Sequence, residues 1–434
     1  MSARTTALAA LIACRKTRAW SDGVLKEYLR RDRLDSRDAA LATRLCYGVV
    51  QNRMLLDFYL RAFCKGPLEK LQPVVLDILR LGAYQITCMD RIPVSAAVNE
   101  AVEQGKKYAN HRAAGLINGV LRSLARAGDA LPQPPDLATR YSHPAPLVEL
   151  LRENVGEALL EPLLACDNAA PETAVQVNRL RISDRALRAR WDEQGVPYER
   201  HPWMPGCYLL RGAGSVEALE AFREGLVLVQ DPAARLAVTA AGLKPGMDVL
   251  DCCAAPGGKS FAAAMDMEDR GDILACDLHP HKVSLIAKGA ARLGLRSIAA
   301  REQDATAFQP AWEGRMDAVL ADVPCSGLGV IRKKPDIRYK DLTATEALPA
   351  IQGRILDNVS RYVAPGGVLL YSTCTILRRE NEAVVEAFLE GHPQFRPEAL
   401  ELPPALGLTG PMATLLPCLH QCDGFFIAKL RRAP

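Results

Sequence analysis

Apolar residues in the first part of the chain recur at the spacing of one helical face. The i, i+3, i+4, i+7, i+8 rule is followed by Leu71, Val74, Val75, Ile78 and Leu79. Similar stripes run through residues 94–102 and 117–124, and further helices are predicted near residues 4–14, 22–31 and 37–63. These patterns predict an all-α helical bundle over residues 1–128.

The helical pattern stops at a proline-rich stretch. Pro132-Gln133-Pro134-Pro135 cannot sustain a helix, so residues 129–140 are predicted to be an interdomain linker. Residues 141–225 are predicted to be a small α/β RNA-recognition region. Its basic residues would suit an RNA-facing surface and an ordinary solvated face equally well; they are Arg179, Arg181, Arg185, Arg188 and Arg190. Its predicted elements are the strands Ala174–Asn178 and Cys207–Leu210 and a capped helix, Ser215–Arg223.

The last part of the chain, residues 226–434, alternates short apolar strands with helical segments. This alternation predicts a doubly wound, Rossmann-like α/β domain with a mostly parallel sheet. Ligands of such sheets bind at the carboxyl ends of the strands. The predicted strands are Leu226–Gln230, Met247–Asp251, Asp272–Asp277, Ser297–Arg301, Met316–Ala321, Gly367–Tyr371 and Gly424–Leu430.

Charge is distributed unevenly between the predicted domains. Residues 1–128 carry 21 Lys and Arg against 11 Asp and Glu, whereas the rest of the chain carries 33 against 39. A basic module joined to a mildly acidic one is typical of a polyanion-binding appendage, but a solvated helical surface gives the same count. No apolar run approaches the roughly 20 residues that cross a bilayer, so no membrane association is predicted.

The 13 cysteines are odd in number and scattered. Such a distribution is typical of reduced, buried thiols and predicts a cytoplasmic protein rather than a secreted disulfide framework. No CxxC pair is present, and Cys418 and Cys422 have no accompanying ligand cluster. No metal site is therefore predicted.

Four segments of the helical part carry a family resemblance. Arg44–Val50, Leu81–Gln85, Ile92–Glu100 and Asn118–Arg122 resemble the NusB-like antitermination-factor domain. That resemblance covers about the first 128 residues and implies an RNA-binding helical bundle.

A loop of small residues follows the predicted strand that ends at Asp251. The side chains of residues 253–258 leave backbone N–H groups open to a ligand before the helix that begins near Lys259. Gly257-Gly258-Lys259-Ser260 is similar to the end of a phosphate loop, but Cys253 replaces the leading glycine of that motif.

Three carboxylates close or follow successive strands. Asp251, Asp277 and Asp304 favour a cofactor that has an adenine base and an unphosphorylated ribose, because an acidic side chain can accept hydrogen bonds from both ribose hydroxyls. A dinucleotide could use the first two carboxylates.

Two cysteines follow the next two strands of the domain. Cys325 lies in Asp322-Val-Pro-Cys-Ser-Gly327, and Cys374 lies in Tyr371-Ser-Thr-Cys-Thr375. Adjacent strand ends would bring both thiols to the mouth of the sheet beside the cofactor. Core packing alone does not explain two cysteines in such polar settings.

Together these motifs resemble the RNA 5-methylcytosine methyltransferase family, from Leu226 to the C-terminus. The matching segments are Val229–Pro232, Asp251–Lys259, Asp322–Gly327 with Gly329–Tyr339, and Ser372–Thr375 followed by Glu380-Asn381-Glu382. There are two departures: Cys252 adds a thiol beside the loop, and Tyr339 stands where a tryptophan is common. Combined with the NusB-like part, the resemblance implies a bacterial cytosine-C5 methyltransferase of 16S ribosomal RNA, of the Sun or Fmu type.

The resemblance also implies roles for individual residues. Cys374 would be the nucleophile, Cys325 would assist product release, Asp322 would bond N3 of the cytosine, and Lys259 would orient Asp322. S-adenosylmethionine would be the cofactor. Its predicted contacts are Cys253, Ala254, Ala255, Pro256, Gly257, Gly258, Lys259, Asp277, Asp304 and Asp322.

The implied partner is 16S ribosomal RNA, free or in an early assembly intermediate, bound by a monomer. Three alternative functions are a non-catalytic RNA-binding protein, a methyltransferase of transfer RNA or another RNA, and an NAD-dependent oxidoreductase. The chain lacks the GxGxxG loop that is typical of the oxidoreductase.

Overall fold

The computed structural model describes residues 2–212 and 215–434. The chain forms two compact units, of which the first comprises Met1–Ala169 and Ile331–Lys340 and the second comprises Ala170–Val330 and Asp341–Pro434. Among the described residues, no helix is both long and apolar enough to cross a bilayer.

The first unit is helical throughout its main segment. The apolar stripes predict this for residues 1–128, whereas residues 141–169, predicted to belong to the small α/β region, add two further helices to the same unit. Leu45, Ile78 and Leu121 are fully buried in its core. The helices are α1 (Ala3–Thr17), α2 (Ser21–Asp32), α3 (Ser36–Gln51), α4 (Arg53–Phe63), α5 (Pro73–Cys88), α6 (Val94–Tyr108), α7 (His111–Ala127), α8 (Leu137–Tyr141), α9 (Ala145–Val155) and α10 (Glu157–Asn168).

The single helix predicted near residues 37–63 is two helices. Asn52 separates α3 from α4 with φ −108° and ψ 17°, and its Nδ2 donates to the Gly48 carbonyl oxygen at 2.9 Å. A side-chain amide that bonds the preceding turn competes with the helical backbone. The apolar stripe continues across this break, so the periodicity alone does not reveal it.

The stretch predicted as a linker, residues 129–140, does not separate the compact units. Helix α8 begins within it, packs against α4, and buries Ala138. Asp136 caps α8 by accepting a hydrogen bond from the Thr139 amide at 2.7 Å. The chain divides instead after Ala169.

The second unit begins with a small antiparallel sheet of four strands, β1 (Thr173–Val177), β2 (Tyr198–Arg200), β3 (Cys207–Leu210) and β4 (Val227–Val229). Their order in the sheet is β2-β3-β1-β4. The strand predicted at Leu226–Gln230 belongs to this sheet and not to the large one. Residues 215–223 form a 3-10 turn (Val216–Ala218) and a short helix in place of one capped helix. The helices of this part are α11 (Asp184–Gln194) and α12 (Glu220–Arg223).

The rest of the second unit is the predicted doubly wound domain. Its strands are β5 (Asp248–Asp251), β6 (Asp272–Asp277), β7 (Ile298–Glu302), β8 (Met316–Asp322), β9 (Val363–Thr373), β10 (Phe395–Pro397), β11 (Met412–Leu415) and β12 (Phe425–Arg432). Its helices are α13 (Pro232–Ala241), α14 (Gly258–Asp266), α15 (Pro280–Leu293), α16 (Leu348–Ser360), α17 (Glu382–Gly391) and α18 (Pro417–His420).

The strand order of the large sheet is β10-β12-β9-β8-β5-β6-β7, with β11 paired to β12. Strands β5 to β9 run parallel, and β10, β11 and β12 are antiparallel additions at one side. The chain order reverses between β5 and β8, so the crevice at the carboxyl ends of these strands is the expected ligand site.

Candidate active site

The loop between β5 and α14 is built for close approach to the backbone. Gly257 has φ 108°, and a Cβ at this position would lie 2.2 Å from the Phe261 ring. Only glycine fits such a position. The Ala254 amide donates to the Cys276 carbonyl oxygen at 2.7 Å, which fixes the loop to the end of β6. Residues Cys253 to Gly258 therefore form a tight loop at the carboxyl end of β5, where the cofactor loop is predicted.

The carboxyl group of Asp251 is fully buried beneath this loop. Its Oδ2 accepts a hydrogen bond from Ser260 Oγ at 2.6 Å. Burial raises the pKa of Asp251 to about 6, and the hydrogen bond from Ser260 offsets part of that rise.

The other two predicted carboxylates lie at the next strand ends but differ in their surroundings. Asp277 is buried, and its Oδ1 accepts from the His279 amide at 3.2 Å and lies 3.7 Å from Lys282 Nζ. Asp304 is exposed, and its Oδ1 accepts from both the amide and the hydroxyl of Thr306, bonds that lower its pKa. Asp277 fits a ribose contact, whereas the Asp304 carboxylate already stabilises its own turn.

Asp322 ends β8 and is held by a cation and a hydroxyl. Lys259 Nζ lies 2.6 Å from Asp322 Oδ2, and Ser372 Oγ donates to Asp322 Oδ1 at 2.8 Å. Burial lowers the pKa of Lys259, but the charge and hydrogen bond of Asp322 outweigh it, so the net pKa is raised. The structure thus brings together the predicted Lys259–Asp322 pair.

The two predicted cysteines meet beside this pair. Strands β8 and β9 are parallel neighbours with Asp322 opposite Ser372, so the chain that follows each strand emerges at the same edge of the sheet. Cys325 Sγ and Cys374 Sγ are 3.2 Å apart, and both residues are partly exposed. The hydrogen bond to Cys374, reinforced by burial, raises the pKa of the Cys325 thiol well above its usual range.

A buried polar network connects the two cysteine loops. Glu380 Oε2 accepts from the Ser326 amide at 2.8 Å and from Gln352 Nε2 at 3.0 Å. Ser326 Oγ is 2.8 Å from Thr375 Oγ1, and Asn381 Nδ2 donates to the Thr375 carbonyl oxygen at 3.0 Å. Glu380 and Asn381 lie in a segment that matches the family motif but had no predicted role, and no sequence pattern predicts a role for Gln352.

Two glycines let these loops approach the last strand. The Gly329 amide donates to the Cys374 carbonyl oxygen at 3.0 Å, and the Gly424 amide donates to the Gly329 carbonyl oxygen at 2.8 Å. A Cβ at Gly329 would lie 2.0 Å from the Gly424 carbonyl oxygen. Any larger residue at position 329 would displace the backbone that holds Cys374.

The segment that follows the Cys325 loop, Ile331–Lys340, belongs to the first unit. Arg338 is buried there, and its NH1 donates to Asn168 Oδ1 and to the Gln51 carbonyl oxygen, both at 2.8 Å. Tyr339 OH donates to the Val50 carbonyl oxygen at 3.0 Å. Tyr339, the departure from the family pattern, therefore has a packing role within the helical unit.

The described residues contain no group of three or more His, Cys, Asp or Glu side chains that could hold a metal ion.

Three family models match the chain in sequence. The NusB family matches residues 1–126, the ferredoxin-like domain of RsmF/B-like methyltransferases matches residues 143–217, and 16S rRNA methyltransferase RsmB/F matches residues 238–431. The probable ribosomal RNA small subunit methyltransferase B of Bacillus subtilis (strain 168) is 37% identical over 443 residues, which is 99% of each chain.

This chain belongs to the RsmB/F family of 16S rRNA methyltransferases. Ribosomal RNA small subunit methyltransferase B of Vibrio cholerae is 34% identical over 91% of this chain and 90% of its own length. Membership in the RsmB/F family confirms both predicted resemblances and the predicted cofactor, S-adenosylmethionine. A dinucleotide oxidoreductase is excluded.

Two solved structures resemble this chain in fold. The structure titled PH0851 has a TM-score of 0.84, with 24% identity over 100% of this chain and 99% of its own. A methyltransferase homologue from Pyrococcus horikoshii has a TM-score of 0.60, with 26% identity over 69% of this chain and 100% of its own.

Proposed function

We propose that this protein transfers a methyl group from S-adenosylmethionine to C5 of a cytosine in 16S ribosomal RNA, through a covalent bond between Cys374 and C6 of the base. The observation that carries this proposal is the pair of partly exposed thiols, Cys325 and Cys374, 3.2 Å apart beside Asp322 and Lys259. A methyltransferase that acts on an amine or hydroxyl needs no such pair.

The covalent bond is required because C5 of cytosine is a weak nucleophile. Addition of the Cys374 thiolate to C6 makes C5 enamine-like. S-adenosylmethionine, when bound, supplies an electrophilic methyl group. A free thiol is only about 3% ionised at neutral pH, so the site has to stabilise the Cys374 thiolate. Cys325, whose raised pKa keeps its proton in place, can donate a hydrogen bond to the Cys374 sulfur.

Asp322 and Lys259 stabilise the negative charge that thiolate addition places on the cytosine ring. Addition at C6 makes N3 more basic, and Asp322 lies on the strand end from which it can bond N3. The proton that leaves the Cys374 thiol can pass through Asp322 to N3, while Lys259, which retains its own proton 2.6 Å from Asp322, orients that carboxylate. After methyl transfer the C5 proton passes to solvent water, the S–C6 bond breaks with its electron pair returning to the Cys374 sulfur, and N3 gives its proton back to Asp322 as the aromatic ring is restored. Cys325 is assigned to this release stage.

The cofactor is assigned to the β5–α14 loop and the two following strand ends. The loop at Gly257 lies at the carboxyl end of β5, where a ligand of such a sheet is expected, and buried Asp277 is suited to the ribose hydroxyls. Asp304 remains a proposed cofactor contact. Because its carboxylate already accepts hydrogen bonds from Thr306, the turn that these two residues form, and not the carboxylate, would make the contact.

The proposed partner is 16S ribosomal RNA, free or in an early assembly intermediate, bound by a monomer. The basic residues 1–128 and their match to the NusB family support RNA binding by the first unit. A non-catalytic RNA-binding role is disfavoured because both cysteines and the Lys259–Asp322 pair are present.

The experiment is methyl transfer with purified protein, isotope-labelled S-adenosylmethionine and unmodified 16S rRNA. Digestion to nucleosides is expected to recover the label as 5-methylcytidine, and bisulfite sequencing is expected to locate it at one position. Label in another nucleoside would contradict the cytosine-C5 assignment. In a parallel reaction with transfer RNA, label in transfer RNA but not in 16S rRNA would contradict the proposal that 16S rRNA is the substrate.

A further inference from the structure

One tryptophan of the first unit lies on its surface. Trp20 precedes α2 in the turn after α1 and is 47% exposed. The other three tryptophans differ, because Trp191 and Trp203 are buried and Trp312 is partly buried. Leaving an indole ring in water gives up the favourable burial of a large apolar surface.

The turn that presents Trp20 is cationic. Lys16 and Arg18 are exposed, and Arg18 ends α1 in the left-handed conformation with φ 55°. Lys340 Nζ lies 5.2 Å from the centroid of the Trp20 ring. Three cationic side chains thus accompany one exposed aromatic ring.

The acidic residues next to this turn are occupied by partners within the first unit. Asp22 accepts a hydrogen bond from Tyr47 OH at 3.2 Å and forms an ion pair with Lys26. Asp336 accepts hydrogen bonds from the amide and the hydroxyl of Ser21. Each carboxylate therefore has internal donors, which reduces its repulsion of an approaching anion.

We propose that Trp20 is a stacking platform for an unpaired base of the RNA substrate, with Lys16 and Arg18 contacting the flanking phosphates. An exposed aromatic ring among cations is the combination by which proteins hold single-stranded nucleic acid, because every base has a face that can stack. The cations add backbone attraction that is independent of base identity. The inference rests on the proposed RNA substrate and adds a contact in the helical unit.

The direct test is tryptophan fluorescence of the full-length protein during titration with a short, unstructured RNA oligonucleotide. A base stacked on Trp20 is expected to quench the emission of the wild-type protein. The quenching should be lost in Trp20→Phe and kept in the matched control Trp312→Phe. A blunt-ended RNA duplex, which offers no unpaired base, should leave the emission unchanged.

Affinity gives a second readout. Trp20→Leu should weaken binding of the oligonucleotide by about 5- to 100-fold, and Trp20→Phe should retain most of the affinity because it keeps an aromatic ring. Lys16→Ala and Arg18→Ala should each reduce the slope of log affinity against log salt by about one.

The outcomes separate this inference from the proposed function. If Trp20→Phe is quenched as strongly as the wild type, or if Trp20→Leu binds RNA as tightly, the stacking platform is wrong even when methyl transfer is normal. If stacking is observed but no 5-methylcytidine forms, the catalytic proposal fails and the RNA contact stands. Quenching by an unrelated peptide but not by RNA would identify a protein-docking surface and overturn the assignment.

Discussion

The buried carboxyl group of Asp251 shows how one residue links the cofactor loop to stability. Ser260 Oγ donates to it at 2.6 Å, yet burial still raises its pKa from 3.8 to about 6. The folded protein therefore binds a proton at this site at a higher pH than the unfolded chain does. Through this group, stability rises as pH falls from about 6 toward 4 and is lost again as pH rises through 6.

Asp251→Asn is expected to remove this dependence. The wild type should gain about 2 kcal/mol in the free energy of unfolding, relative to the variant, between about pH 7 and pH 4. Denaturant unfolding across this range measures the difference. Asp272→Asn, an exposed change at the start of β6, is the matched control. A constant difference between wild type and Asp251→Asn across the range would contradict the raised pKa.

Asp277 gives a second prediction for a single residue. Asp277→Ala removes a buried acceptor from the proposed ribose site and should weaken S-adenosylmethionine binding by ~1–3 kcal/mol in titration calorimetry. Asp304→Ala should cost less, because its Oδ1 already bonds Thr306. Equal affinity of wild type and Asp277→Ala would show that the ribose is bound elsewhere.

The short 3-10 turn before α17, Arg378–Glu380, holds the two cysteine loops in register. Its last residue, Glu380, accepts hydrogen bonds from Ser326, next to Cys325, and from Gln352 of α16. Tyr371 OH donates to the Glu380 carbonyl oxygen at 2.6 Å, which ties the turn to β9. The spacing of the two thiols therefore depends on a residue outside both cysteine motifs.

Glu380→Ala should leave two buried donors unpaired and lower the free energy of unfolding by about 2–4 kcal/mol. Glu380→Gln, which keeps one carbonyl oxygen, should recover much of this loss. Glu386→Ala, on α17 at an exposed ion pair with Arg378, should change the free energy of unfolding by less than ~1 kcal/mol. Similar stability of Glu380→Ala and Glu386→Ala would contradict the supporting role.

Periodicity predicts where strands and helices lie better than it predicts which other elements they pair with. The strand ends at Asp251 and Asp277 fall where the apolar runs predict, and β8 ends at Asp322, one residue beyond the predicted end, so the proposed site could be located from the sequence. Val227–Val229 is apolar on both faces like a parallel strand, and only its pairing with β1 shows that it belongs to the small sheet. Gln352 carries no motif signal, because its role depends on tertiary contacts.

The first, helical unit of the chain is discontinuous in sequence. The chain leaves the second unit after Val330, contributes Ile331–Lys340 to the first, and returns at Asp341. No local pattern predicts this path, because the short segment has no periodicity and its partners lie far away in sequence. A deletion of residues 1–128 would therefore cut through a compact unit.

Arg338→Ala should destabilise the first unit. Its buried guanidinium donates to Asn168 and to the Gln51 and Tyr141 carbonyl oxygens, so truncation leaves several acceptors unpaired and costs about 3–5 kcal/mol. Hydrogen exchange should become faster in α3 and α10. Lys334→Ala, an exposed change in the same segment, is the control. Unchanged exchange in Arg338→Ala would show that the segment is dispensable to the unit.

The central claim is that Cys374 attacks C6 and that Cys325 acts in release. The direct measurement is denaturing gel electrophoresis of protein incubated with 16S rRNA and S-adenosylmethionine. Cys325→Ala is expected to form the covalent bond, transfer the methyl group and stall as a complex that survives the gel, whereas Cys374→Ala should form no complex and transfer no methyl group. A trapped complex with Cys374→Ala and none with Cys325→Ala would reverse the two roles. No complex with either variant would contradict the covalent mechanism.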